Sequence, residues 1–264
     1  MNDIVNKEFL KQKYKYNLLG HNLDCEDATI VDKEDYVIVR GKVYKPLWVG
    51  GSDNLSDEKF LELLDVLCDL SYSNDINICC NKTIYDYLSK FDYDLSNTFT
   101  YVCYQCNELI APKSVDGCMI KSTLDDKEFI AEHWQKNSQD FGYDTPYEVC
   151  LKMAQKWIDS NNFYLWKNEN NDIVSFIGYD VVDNTAEISH AYTIPSERGK
   201  GYMPNLVYEI TKLILSKGLI PVLNTDYNYL SSNNAYKKVG YNIDDYIFVI
   251  HFPLIKRLDD NKKI

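Results

Sequence analysis

The sequence predicts an α/β fold built on a mixed sheet, and three features carry that expectation. β-rich runs alternate with helix-periodic runs along most of the chain. A polar turn, Asn168-Glu169-Asn170-Asn171-Asp172, joins two β-rich runs as an antiparallel hairpin. A strand, a long amphipathic helix and another strand then follow from Ala186 to Asn224, the order of a parallel crossover. Antiparallel and parallel pairing are therefore both expected.

Residues 1–35 are polar and charged, with Phe9, Leu10, Leu18 and Leu19 as scattered apolar anchors. Tyr36 to Tyr44 reads as two short strands around Gly41. Asp57 to Leu70 carries Phe60, Leu61, Leu64, Leu67 and Cys68 at helical spacing, with Ser56 as N-cap. Ile76 to Cys80 reads as a strand, Thr83 to Phe91 as a helix and Thr98 to Cys106 as a strand. Ala111 to Gly117 has Pro and Gly near its ends and few apolar residues, so it reads as a linker. This divides the 264 residues into domains 1–116 and 117–264, each of ordinary size at ~100–200 residues.

The second domain opens with a strand at Cys118 to Lys121. Helices follow at Leu124 to Ser138 and Tyr147 to Ser160. Strands are expected at Phe163 to Lys167, Ile173 to Val182 and Ala186 to Ile194. In the helix Pro204 to Lys217, residues Leu206, Val207, Ile210, Leu213 and Ile214 form one apolar stripe, and Gly218 ends it. A strand at Leu219 to Asn224, a short helix at Asn233 to Val239 and a strand at Tyr246 to Phe252 complete the chain.

Composition narrows the function. Hydrophobic residues make up 45% and charged residues 26%, which is ordinary for a packed globular core. A net charge of −12 argues against a dedicated nucleic-acid binder and suits a cationic partner such as an amine. The 22 tyrosines exceed what a core needs, so some are expected in a cleft or at the surface. Met1 to Lys7 has no apolar centre, so the eight cysteines are read as reduced thiols of a cytoplasmic protein. The run Tyr246 to Ile255 is far short of the ~20 residues a spanning helix needs, so no membrane association is expected. Cys103-x-x-Cys106 has no second ligand pair for tetrahedral zinc and reads, with Cys79-Cys80, as packing; no metal is expected. Trp134, Trp157 and Trp166 read as core, with an aromatic wall for an amine as the alternative.

The chemistry concentrates in Pro195-Ser196-Glu197-Arg198-Gly199-Lys200-Gly201-Tyr202. A loop entering a helix leaves about four backbone N–H groups unpaired, at the positive end of the helix dipole. Gly199 and Gly201 allow close backbone approach, and Arg198 and Lys200 add positive charge. Pro204 suits the first helical turn. The turn is an anion site matched to a phosphate or pyrophosphate. The Gly-Lys-Ser/Thr triplet of a Walker loop and the third glycine of a dinucleotide fingerprint are both missing.

The stretch Ala191 to Tyr202 resembles the acyl-CoA loop of the GNAT N-acetyltransferases, Arg/Gln-x-x-Gly-x-Gly/Ala between a strand and a helix. Downstream, Thr225-Asp226, Ser232-Asn233, Tyr236 and Gly240-Tyr241 are similar to that family's closing segment. The resemblance spans roughly Gly117 to Phe252 and implies a GNAT-like fold for the C-terminal half. The N-terminal half more loosely resembles the degenerate GNAT-like half found in one bacterial branch, where a segment like Glu108-Leu109-Ile110-Ala111-Pro112 leads into the active domain. Met203 departs from the family pattern, which has a small residue there.

Residue roles follow from the resemblance. Tyr192, Thr193 and Ile194 match the strand that pairs with the pantetheine arm. Arg198, Gly199, Lys200, Gly201, Tyr202 and Met203 match the pyrophosphate loop. Asn233 matches a polar pantetheine contact, with Ser232 beside it and Thr225 upstream. Tyr236 matches the tyrosine near the CoA sulfur, where a hydroxyl can protonate the departing thiolate. Glu187, eleven residues before Arg198, matches the catalytic glutamate of the histone-modifying branch, with His190 as the rival base. Strict strand alternation places residues 187, 189, 191 and 193 on one face and 188, 190, 192 and 194 on the other. Glu187 and His190 then face opposite ways unless a bulge intervenes.

The resulting reading is an N-acetyltransferase that moves an acetyl group from acetyl-CoA to a primary amine by direct attack, without a metal, as a monomer or homodimer. The rivals are a non-catalytic acyl-CoA sensor and an acyltransferase with a longer donor.

Overall fold

A computed structural model describes residues 22, 27–41, 46–70, 76–90, 96–140 and 142–252. The expected anchors Phe9, Leu10, Leu18 and Leu19, the second strand of the Tyr36–Tyr44 pair and Phe91 lie outside the described residues. The architecture is mixed α/β. The chain divides into two compact units. One comprises Met1–Cys103, Thr225–Asn228 and Asp244–Ile264, the other Tyr104–Asn224 and Tyr229–Ile243. Strands β5 (Ser96–Cys106), β10 (Ile220–Asp226) and β11 (Tyr241–Phe252) contribute residues to both.

In the first unit, β1 (Thr29–Asp32), β2 (Tyr36–Arg40) and β3 (Leu47–Gly51) form an antiparallel meander. Helix α1 (Asp57–Leu70) then carries the chain to β4 (Ile76–Cys80), which pairs parallel with β3. Ser56 caps α1 by accepting the Lys59 N–H on its Oγ at 3.2 Å. Helix α2 (Lys82–Leu88) follows, and β4 pairs antiparallel with β11 from Phe248 opposite Cys80 to Phe252 opposite Ile76. Phe60, Leu63, Leu64 and Leu67 of α1 pack with Ile84 and Leu88 of α2 over Ile38, Val49 and Ile78.

The second unit begins its sheet with β6 (Cys118–Lys121). Thr123 and Asp126 form a capping box around a 3₁₀ turn, which starts α3 (Lys127–Asp140) later than the apolar periodicity alone suggests. Helix α4 (Tyr147–Asp159) then leads into the antiparallel strands β7 (Phe163–Lys167), β8 (Ile173–Val182) and β9 (Thr185–Thr193). Helix α5 (Tyr202–Ser216) crosses over to β10, parallel to β9. Helix α5 starts two residues before Pro204, because Gly201 adopts a left-handed conformation and serves as N-cap. Its stripe Leu206, Val207, Ile210 and Ile214 is fully buried. Gly218, at φ 74°, ends it with the Leu219 N–H bonded back to Ile214 O. Helix α6 (Leu230–Lys237) precedes β11.

Helices α3 and α4 cover one sheet face, where Ile130, Ala131, Cys150 and Ala154 pack on Phe163, Leu165, Phe176 and Tyr192. Directly opposed residues of paired strands share a face. The registers Phe163–Gly178–Ser189 and Asp180–Glu187 therefore assign Gly178, Ser189, Asp180 and Glu187 to that same face.

Candidate functional site

Strict alternation fails in β9. Between the pairs Gly178–Ser189 and Phe176–Tyr192, β8 has one intervening residue and β9 has two, His190 and Ala191. The extra residue is a bulge, and His190 takes it up at φ 56°, a conformation His tolerates better than most side chains. The expected face assignment is thus corrected. Glu187 and Tyr192, of opposite parity, lie on one face, and His190 joins them. Its ring lies 4.2 Å from that of Trp157 and 5.3 Å from that of Trp134, both on the covering helices.

The bulge sits where two strands part. The β9–β10 register runs from Thr185 opposite Ile220 to Ile188 opposite Leu223, and β9 continues unregistered with β10 to Thr193. Residues 189–193 of β9 therefore have no register partner on β10.

Glu187 stands one residue before the end of the β9–β10 register. Loss of surrounding water, and then the Asp180 carboxylate across the strand pair, raise its carboxyl to about 8. The Asn224 side chain, whose Nδ2 donates to Glu187 Oε1, pulls the other way. Burial lowers the His190 imidazole to about 4, with Asp180 opposing and Lys156 assisting. At neutral pH His190 is uncharged and a poor base, whereas Glu187 titrates about one unit above neutrality.

The anion turn begins after the 3₁₀ segment Pro195–Glu197. Gly199 and Gly201 adopt φ 81° and 96°. The first helical bond runs from Asn205 N to Gly201 O at 3.4 Å, so the N–H groups of Tyr202 and Met203 precede it. Space is open within 4 Å of where a Cβ at Gly199 would stand. Arg198 is exposed; its Nε donates to Thr193 O at 3.1 Å, and its guanidinium lies 5.5 Å over the Tyr192 ring. Lys200 is exposed and held by Glu197 at 2.9 Å, and Met203 is half-buried. Ile194 anchors the start of the turn through its N–H to Val174 O.

Helix α6 carries the other expected residues. Tyr236 is 7% exposed, and burial raises its hydroxyl to about 12. Asn233 is 5% exposed, accepts from Tyr104 Oη at 2.8 Å and donates to Tyr229 O at 3.0 Å. Those bonds tie α6 to Tyr104. Ser232 is half-buried on the same helix. Thr225 falls within the Thr225–Asn228 segment of the first unit. Asp226 makes a local turn by accepting the Asn228 N–H at 2.8 Å.

Three polar residues escaped sequence reasoning. Asp180 is signalled only by strand register, Asn224 only by its partner Glu187, and Asp116 by a bond to Tyr202 86 residues away. Among the described residues, no group of three His, Cys, Asp or Glu is placed to hold a metal ion, and no helix is long and apolar enough to cross a membrane.

Comparison with known proteins gives one family match over part of the chain and several similar folds. Residues 127–241 match the family described as Acetyltransferase (GNAT). A GNAT-family acetyltransferase from Colwellia psychrerythraea has a similar fold, with a TM-score of 0.68 at 12% identity over 96% of this chain and 97% of its own. A GCN5-related N-acetyltransferase from Sphaerobacter thermophilus gives 0.61 at 12% identity over 85% and 82%. One from Kribbella flavida gives 0.57 at 11% identity over 92% and 95%. No curated protein sequence matches this one.

Proposed function

We propose, from the match of residues 127–241 to the GNAT acetyltransferase family, that the protein transfers an acetyl group from acetyl-CoA to a primary amine. The observation that carries this reading is the end of the β9–β10 register at Ile188, with Glu187 one residue before it and the glycine turn following β9. The turn 198–203 holds the diphosphate through its backbone N–H groups and Arg198. The segment Tyr192 to Ile194 at the end of β9 runs alongside the pantetheine arm. Acetyl-CoA, as co-substrate, supplies the activated acyl group.

The chain's own residues handle the protons. Glu187, ionised, accepts the proton of an ammonium acceptor, and Asp180 opposite it keeps that strand face attractive to cations. Tyr236 stays protonated across the working range and donates to the departing sulfur. The seven described cysteines are free, in keeping with a reducing, cytoplasmic setting. In the first unit the same order of elements recurs, meander, helix, parallel strand and short helix, which supports a degenerate GNAT-like origin for it.

A thiol-release screen of acetyl-CoA against amino acids, polyamines, aminoglycosides and peptides tests the proposal. Silence across the panel sinks the small-molecule reading. CoA binding without thiol release selects the non-catalytic sensor, and preference for longer thioesters selects another acyl donor.

A further inference from the structure

We propose that the segment Lys113 to Gly117 is a strap that sets the shape of the anion turn, with Asp116 as its positioning residue. The inference rests on the reading of residues 198–203 as the CoA diphosphate site. Tyr202, the first residue of α5, is 6% exposed and donates its hydroxyl to Asp116 Oδ1 at 3.0 Å. The other oxygen, Oδ2, accepts the Glu169 N–H of the β7–β8 turn at 3.0 Å. The Asp116 carbonyl accepts Trp166 Nε1 at 2.9 Å. One residue therefore ties the start of α5 to the β7–β8 hairpin.

Two neighbours reinforce the tie. Asn205 Nδ2, one turn into α5, donates to Lys113 O at 2.9 Å and to Gly201 O at 2.9 Å. Val115 Cγ1 lies 3.1 Å from where a Cβ on Gly201 would stand. The strap thus meets the N-cap, the first residue and the first turn of the helix whose N–H groups would face the diphosphate. A helix N-terminus binds an anion only if those N–H groups converge, and a tie at Tyr202 fixes their direction. The chain leaves the strap through Gly117 at φ 86°, where any Cβ would stand 1.9 Å from Lys167 O.

The position of a carboxylate near an anion site gives the inference a sharp sign. If Asp116 acted only through its charge, removing it would tighten CoA. As a positioning residue, its removal weakens CoA. The experiment measures CoA binding by calorimetry on the full chain for the wild type, Asp116→Ala, Asp116→Asn, Tyr202→Phe and the Asp116→Ala/Tyr202→Phe double variant, with thermal midpoints alongside. Loss of one charge-assisted bond is expected to weaken CoA about tenfold in Asp116→Ala. Asp116→Asn, which keeps a carbonyl acceptor, should recover most of the affinity. Tyr202→Phe, which deletes one hydroxyl and spares the fold, should weaken CoA similarly, and the double variant no further. Unchanged or tighter binding in both Asp116→Ala and Tyr202→Phe overturns the inference alone. A wild type that binds no CoA overturns it together with the diphosphate-site reading.

Discussion

Glu187 and Asp180 make a titration that can be read directly. Their Cα atoms are register partners, so the carboxyls stand roughly 6 Å apart, the reach of a directly opposed pair. Asp180 is exposed, so solvent screens the interaction, and repulsion of about 1.4 kcal/mol corresponds to an effective dielectric of ~40. That is about one pKa unit. With the Glu187 carboxyl at about 8, roughly a tenth is ionised at pH 7. Asp180→Asn should therefore move the acidic limb of the kcat/KM profile down by about one unit and raise the rate at pH 7 about fivefold, provided the acceptor does not need Asp180. Glu187→Gln should abolish the limb and lower the rate about 10²- to 10⁴-fold. The assay is initial thiol release from pH 5 to 9.5 at low acceptor. A limb that survives unchanged in Glu187→Gln refutes the assignment. Stability has its own sign. The folded carboxyl lies above its ordinary 4.5, so the folded state binds more protons between the two values. Its favourable contribution is complete below pH 4.5 and is lost as pH rises through 8. Glu187→Gln should thus raise the melting temperature at pH 9 more than at pH 5.

Other changes test separate parts of the site. Tyr236→Phe should lower kcat ~10²-fold with KM for acetyl-CoA nearly unchanged, by steady-state kinetics; full turnover would assign the proton to water. His190→Asn, which tolerates a positive φ, should keep the bulge, whereas His190→Val should cost about 1–3 kcal/mol by urea denaturation and weaken CoA. Equal stability of the two variants would show that the bulge does not depend on that conformation. Gly117→Ala should destabilise the chain by about 2 kcal/mol or more in the same assay, because the added methyl meets Lys167 O at 1.9 Å.

Much of the second unit was legible because its signals are local. The α5 stripe, the Gly218 stop and the polar β7–β8 turn each announce themselves within a few residues. The glycines of the anion turn do so too, through the positive φ each adopts. What the sequence hid depends on register. Nothing near Ala191 marks an extra residue, since the bulge exists only relative to Phe176 to Gly178 on the next strand. Period-two reasoning therefore parted Glu187 from His190 and Tyr192, which the bulge brings to one face. The Asn233 partner was hidden differently: nothing near it in sequence points to Tyr104, 129 residues away, which donates to its side chain.

The two units share an order of elements but finish their parallel strand pairs differently. In the first unit the β3–β4 register ends at Val49 opposite Cys80. The next residue of β4's exit, Asn81, reaches back across the pair, donating to Gly51 O at 2.8 Å and accepting the Gly51 N–H at 3.4 Å. Ile84 Cδ1 stands 2.6 Å from where a Gly51 Cβ would be, so the space beside that strand end is filled. In the second unit the register ends at Ile188 opposite Leu223, and the next residue is again an Asn, Asn224. Its side chain turns to the Glu187 carboxylate instead of to the β9 backbone. Two residues beyond Ile188, where the first unit has Gly51, the bulge at His190 swings the strand and its ring packs against Trp134 and Trp157. The same amide that closes one strand pair thus holds Glu187 in the other, and the bulge takes residues 189–193 of β9 out of register with β10.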